Sequence, residues 1–329
     1  MEELDAHMSL KNFIPAMKFG NKVGLDEIAG LVGLPYVGNV IYVDPTGGND
    51  SDTSGAAQNK AYATVAGAYA DGGSANHDVV LIAPSGGTGR TTETTAISWA
   101  KRFLHLVGSA APNVQDARAG ISFGTGGSIN FTENGGLFKT LTFNGTTDIN
   151  VPVSASGDYN AFVGVDFKGS LNDTTGDDAA ARALVLTGAQ ENTFSGCTFG
   201  ADTFVRSTTN ATVEFASSAS RNVFADCRFL MAADNVGPNH ILLTGGSAID
   251  RWLEFNNCLW YSFWANDADK VTHVIDAAAQ TATGHILMTG QNVMVGFDDW
   301  EAADSGKVYF QGYTNTANVV GIGINPNVS

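Results

Sequence analysis

The chain is poor in cysteine. Three thiols in 329 residues, with no Cys-x-x-Cys spacing, cannot build a disulfide scaffold and do not suggest a thiolate metal site. Charge is scarce too. Asp, Glu, Lys and Arg make up 15% of the residues, and 17 basic against 33 acidic side chains leave a formal net charge of −16. A surplus of that sign repels phosphate backbones and anionic lipid, which argues against nucleic acid as a partner. It stays compatible with neutral glycans, divalent cations or a basic protein surface. No apolar run approaches about 18 residues, so no membrane insertion is expected. Met1-Glu-Glu-Leu-Asp is acidic where a secretory signal would be basic, and no apolar stretch follows, so export through a signal of its own is not expected. The six histidines show no metal-ligand spacing. No Gly-x-Ser-x-Gly, phosphate loop or dinucleotide fingerprint occurs.

What the chain does have is a repeat. Five segments place an aromatic, two residues, a small apolar residue, one residue and another aromatic: Phe138–Phe143, Phe162–Phe167, Phe194–Phe199, Phe224–Phe229 and Phe255–Trp260. Their last aromatics are 24, 32, 30 and 31 residues apart. A period in that range marks a solenoid, whose units bury their apolar faces only against one another. Apolar strands ending in a small or hydroxyl residue recur upstream: Ile129–Thr132, Val151–Ser154, Leu184–Thr187, Val213–Ala216, Ile241–Thr244 and, read in the same column, Ile286–Thr289. Turn-rich stretches follow each, in keeping with 39 glycines. At least two strands per repeat, stacked about 4.8 Å apart, predict a parallel β-helix.

Three coils place Asn160, Asn192 and Asn222 two residues before the first aromatic, a pattern that predicts a stacked side-chain ladder at a turn, broken at Leu253. Cys197, Cys227 and Cys258 share one column and read as buried apolar thiols. The outward column before the last aromatic reads Thr142, Asp166, Thr198, Arg228 and Leu259, and the column before the small apolar residue reads Thr140, Gly164, Gly196, Asp226 and Asn257. Asp166, Asp226 and Arg228 are their only charges and read as solvated surface groups. His240 and His285 both precede apolar strands and are expected to share a turn column.

Before the repeats come Ile41-Tyr-Val-Asp44, a Gly/Asn/Asp loop, Ala61-Tyr-Ala-Thr-Val65 leading into a helix, and Val79-Val-Leu-Ile82 before Pro84. This order resembles the opening segment of the pectate-lyase-like right-handed β-helix superfamily. That superfamily includes polysaccharide lyases, hydrolases and many bacteriophage tail spikes and other virion proteins. The resemblance implies an all-β, right-handed, single-stranded parallel β-helix over residues 40–300. An irregular N-terminal arm would occupy residues 1–39 and a C-terminal extension residues 301–329. Phe13, Ile14, Met17 and Phe19 of the arm are too irregularly spaced for a core of their own, so the arm is expected either to cap the solenoid or to dock on a neighbour.

The lyases resembled here hold calcium on clustered Asp residues beside a base, and the hydrolases use close carboxylate sets. No such pair stands out along any stacked column, and no catalytic residue is assigned. Asp298 and Asp299, beside Trp300, are the weak catalytic alternative. Asp44, Asn49, Asp50 and Asp52 offer oxygen ligands for Ca²⁺ as a weak alternative; a turn with Asx hydrogen bonds is the favoured reading. No cofactor is otherwise expected. Tyr261, Trp264 and Trp300 are candidates for glycan stacking or a subunit interface. The expectation is a non-enzymatic bacteriophage structural protein located in the virion, a capsid-decoration, fibre or spike subunit. It would be a homo-oligomer, as a trimer, bound to other virion proteins such as capsid or tail. The alternatives are a tail-spike polysaccharide depolymerase or lyase, or an adhesin that binds host surface glycan without chemistry.

Overall fold

The computed structural model describes residues 38–51, 55–71, 77–87, 89–111, 113, 115–146, 148–264, 269–301 and 307–311. The arm residues Phe13, Ile14, Met17 and Phe19, and Asp52, lie outside them. The described chain winds into a right-handed parallel β-helix with three strands per coil. One coil runs from Val153–Ala155 in the third sheet to Ala161–Val163 in the first and Asp166–Ser170 in the second, then returns to the third at Leu184–Thr187. Stacking the coils gives one ten-stranded and two eight-stranded sheets, in which every strand pair is parallel.

The aromatic signature is therefore two strands and a corner. Phe162 sits on the first sheet and Phe167 on the second, and Gly164 between them turns the chain in the left-handed region at φ 58°. The same corner recurs at Thr140, Gly196, Asp226 and Asn257, with φ from 53° to 61°. Asp and Asn tolerate that conformation by bonding locally, and Gly carries no Cβ to clash. Backbone geometry thus selects this column, and Asp226 stands in it as an exposed corner residue.

Inside, the aromatics stack in two columns. Phe138, Phe162, Phe194, Phe224 and Phe255 follow one another at centroid distances of 4.8, 4.7, 4.5 and 4.9 Å. Phe143, Phe167, Phe199, Phe229 and Trp260 do so at 5.7, 5.1, 4.9 and 4.0 Å. The columns meet edge to face, as at Phe194 and Phe199, 5.7 Å apart. Leu141, Val165, Cys197, Cys227 and Cys258 form the corner column, all buried. The three thiols are free, and each donates to the carbonyl of Phe162, Phe194 or Phe224 one coil back, at 3.3 to 3.4 Å.

The asparagine ladder closes the corner from the third sheet to the first. Asn192 Oδ1 accepts from Asn160 N and Asn222 Oδ1 from Asn192 N, both at 2.9 Å, and Gly136 N donates to Asn160 Oδ1 at 2.7 Å. Leu253 follows Asn222 in register and ends the ladder.

Two sequence expectations are corrected. Ile286–Thr289 belongs to the first sheet, paired with Leu253–Asn256, and the third-sheet strand after Ile241–Thr244 is Val271–Asp276. His240 and His285 consequently occupy different sheets. His240 is wholly buried beside Thr212, whereas His285 is exposed beside Tyr309. Beyond residue 300, Val308–Phe310 adds a further strand to the first sheet beside Ile286–Met288. At the other end the helix Val65–Asp71 lays Val65 and Ala68 on the core, and Tyr69 meets Trp99 at 5.0 Å.

Phe199 touches rings above, below and across. Replacing it with Asp places an unpaired charge in that column, and no folded protein is expected. Phe199→Ala should keep the fold but cost about 3–5 kcal/mol in denaturant unfolding. A Phe199→Asp protein with native circular dichroism and melting would contradict this account of the core.

Candidate functional site

Among the described residues, the outer face of the second sheet gathers a cluster of interacting charges. In register, its first outward column reads Arg90, Gly120, Thr142, Asp166, Thr198, Arg228, Leu259 and Val293. Residues 140–141 suffice to cross from first to second sheet in one coil. One coil earlier the crossing takes residues 109–119, and that longer segment lays Asp116, Ala117 and Arg118 over the sheet.

The consequence is a polar latch. Ala117 N donates to Asp166 Oδ2 at 2.8 Å, and Thr142 Oγ1 donates to Ala117 O at 2.8 Å while lying 3.1 Å from Asp166 Oδ2. Asp166 and Thr142 are buried, so the expectation of a solvated Asp166 is wrong: the overlying segment removes it from water. Burial raises the Asp166 carboxyl above its ordinary range, opposed by the hydrogen bonds from Ala117 and Thr142. Thr142 has one hydroxyl hydrogen, which Ala117 O and Asp166 Oδ2 share.

Beside this latch, Asp116 gathers three cations. It pairs with Arg90, with Lys168 Nζ at 3.4 Å and with Arg118 Nη1 at 3.7 Å. Arg90 Nη1 also donates to Asn144 Oδ1 at 3.2 Å, as does Ser122 Oγ at 3.0 Å. Burial lowers both the Lys168 and the Arg90 pKa, and the nearby Asp166 carboxyl opposes that in each case. Arg90, Asp116, Asn144 and Lys168 were not singled out from sequence. The available signal was the excess length between Val107 and Gly120, which carries Asp116-Ala-Arg118.

Farther along the same face the character changes. Leu259, Tyr261 and Phe263 point outward, flanked in register by Arg228, Leu230 and Ala232 on one side and by Val293 and Val295 on the other. Phe263 is 51% exposed, Val293 51% and Val295 39%. Trp264 alternates with Phe263 and lies against Gly296, so Phe263 is the residue that shares the outer face with Tyr261. Trp300 meets Trp260 edge-on at 6.2 Å and Phe310 at 4.9 Å, which seats its ring on the core.

The other candidates fall apart spatially or serve the backbone. Asp298 pairs with Lys270, while Asp299 accepts from Trp300 N at 2.6 Å; successive strand residues diverge, so the two carboxylates form no pair. Asp44 Oδ1 accepts from Thr46 N at 3.0 Å and Ser85 N at 3.1 Å, and Asn49 Oδ1 from Ser51 N at 2.9 Å. Asp50 Oδ1 accepts from Ala63 N at 2.7 Å and Thr64 N at 3.1 Å, ahead of the helix Val65–Asp71. Among the described residues no group of three or more His, Cys, Asp or Glu side chains is close enough to hold a metal ion, and no helix is long and apolar enough to cross a membrane.

No family model matches the chain, and no curated protein matches it. Among solved structures it is similar to pectate lyase Pel9A, with 13% identity, a TM-score of 0.51 and 77% of this chain covered. The chain spans 62% of that enzyme's length. It is also similar to a pectin methylesterase from Aspergillus niger, with 14% identity, a TM-score of 0.50, and 85% of this chain and 92% of that one covered. At such identity the likeness is one of fold: the pectate-lyase-like parallel β-helix.

Two predictions follow from the buried ionisable groups. Asp166→Asn keeps the latch, since its amide oxygen, standing where Oδ2 stands, accepts from Ala117 N and faces the Thr142 hydroxyl. Its stability should match the parent within about 1 kcal/mol, while Asp166→Ala orphans Ala117 N and costs about 1–3 kcal/mol in urea unfolding. The second concerns pH. Burial pushes Glu133 up to about 8, while burial brings His105 down to about 4 and His240 to about 3. His105 Nδ1 accepts from Leu137 N at 3.0 Å, which holds its proton on Nε2, facing His77. A raised acid loses stability as pH climbs from its unfolded value through its folded one, and a depressed histidine loses it as pH falls below its unfolded value. Melting temperature should therefore peak at about pH 6–7. Glu133→Gln should raise it at pH 9 and leave it nearly unchanged at pH 4; scanning calorimetry at both pH values decides.

Proposed function

We propose that this chain is a non-enzymatic structural subunit of a bacteriophage particle, a rigid β-helical decoration, fibre or spike component. The observation that carries the reading is the state of Asp166. It is the buried carboxyl on the outward column of the second sheet, and its hydrogen bonds go to Ala117 and Thr142 of its own chain. The adjacent cations meet Asp116 in the same way. A polar cluster satisfied internally fastens a segment to a rod; it does not present a free acid and base to a substrate. The resemblance of residues 40–84 and of the repeats to a superfamily that includes virion proteins supports the placement in a particle. That placement is by analogy of fold.

A second reading rests on the same residues. A carboxyl raised by burial next to a lysine lowered by burial is a pairing that acid–base chemistry uses. The fold is shared with a pectate lyase and a pectin methylesterase. On that reading the chain cuts or binds polysaccharide along the second sheet.

One experiment separates the two. The purified chain is incubated with a panel of bacterial capsular polysaccharides and pectins, with and without Ca²⁺, and released reducing ends, unsaturated ends and methanol are measured. The expected outcome is no release above a heat-inactivated control. Release that disappears in the folded Asp166→Asn variant establishes the second reading. For the particle role, antibody labelling of purified virions in electron micrographs should decorate one defined site, and unlabelled particles with the protein free in the lysate would refute it.

A further inference from the structure

The apolar end of the second sheet faces water among the described residues. We infer that it is the contact through which one copy of this chain binds another. The inference stands on the surface itself and does not depend on the particle role.

The outer face changes character along its length. Toward the N-terminal end it is charged, with Arg90, Asp116, Arg118 and Lys168 paired among themselves. On the strands Arg228–Ala233, Leu259–Trp264 and Val293–Val295, the outward positions hold a single charged side chain, Arg228. Leu259, Tyr261, Phe263, Val293 and Val295 lie side by side there, and Phe263, Val293 and Val295 are each more than a third exposed. Val205, 49% exposed, extends the patch next to Ala232. Isolated exposed apolar residues are ordinary, but a contiguous block on one rigid sheet marks a surface that binds.

The chemistry narrows the occupant. A sugar site needs donors and acceptors around its flat rings, and this block offers the Tyr261 hydroxyl amid valine, leucine and phenylalanine. An anionic membrane is repelled by a chain of net charge −16. A basic partner would be met by this chain's acidic residues, which this face lacks. A second copy carries the same −16, so two copies can approach closely only where charge is sparse. The block is such a place, and homomeric interfaces are the more apolar class.

The test is sedimentation velocity of the full chain from nanomolar to high micromolar concentration, with Phe263→Ser and Val293→Thr as separate variants and in combination. Both side chains are about half exposed and lie outside the core, so the variants should keep the parent's circular dichroism and melt within a few degrees of it. The expected result is an oligomer in the parent and at least a tenfold weaker association in the double variant. A control, Arg118→Ser at the charged end of the face, should associate like the parent. A parent that stays monomeric throughout the range overturns the inference, whether another segment of the chain or another protein covers the patch. An oligomer that the folded double variant leaves unchanged overturns it as well.

Discussion

Each coil sits on the one below at strand spacing, and every other feature of this molecule is subject to that constraint. Parallel pairing fixes not only the distance between coils but the register. Phe162 must lie over Phe138 and under Phe194, because Ala161, Phe162 and Val163 pair with residues of the same rank on both sides. A residue type that stacks well on itself is thereby favoured in every coil. Phenylalanine does this inside and asparagine at one corner. Cysteine does it where the space is small and a carbonyl one coil back is in reach. The left-handed corner adds a second restriction, which explains why Gly, Asn and Asp recur between the two sheets. Thr140 is the exception: a β-branched residue held at φ 54°.

This constraint also accounts for what was legible in the sequence. The aromatic signature spans a whole corner, from Phe194 through Gly196 to Phe199, so its spacing is fixed by backbone geometry and survives from coil to coil. The loops between second and third sheet are not so bound. Residues 171–183 form a loop with a short helix, Asp173–Gly176, where the last coil passes from Val295 to Phe297 across Gly296 alone. Such variation hid the three-strand coil and let Ile286–Thr289 pass for a third-sheet strand, since an apolar tetrapeptide ending in threonine carries no mark of the sheet it joins. His285 was misplaced with it.

The polar latch was hidden for a different reason. Column arithmetic placed Asp166 outward, and the register agrees. What it could not supply was that Asp116, Ala117 and Arg118 lie over that position. Outward on a solenoid means solvated only where nothing lies above the sheet. Arg90 stands three ranks before Asp166 in the stack, a relation visible only once Arg90, Gly120, Thr142 and Asp166 are known to be successive ranks of one column.

The same reasoning limits what the fold implies about chemistry. A parallel β-helix offers its outer sheets as rows of side chains about 4.8 Å apart, and those rows can hold an acid and a base, a run of sugars or another protein with equal ease. Two structures that share the winding need share none of the rows. In this chain the buried carboxyl of the outward row, Asp166, is covered by Ala117 and bonded within the chain. Farther along the face the outward positions hold leucine, tyrosine, phenylalanine and valine. Burial makes the carboxylate of one row a strut, while the apolar row stays exposed to water among the described residues. Both features lie on one face of one sheet, over the same stack of coils.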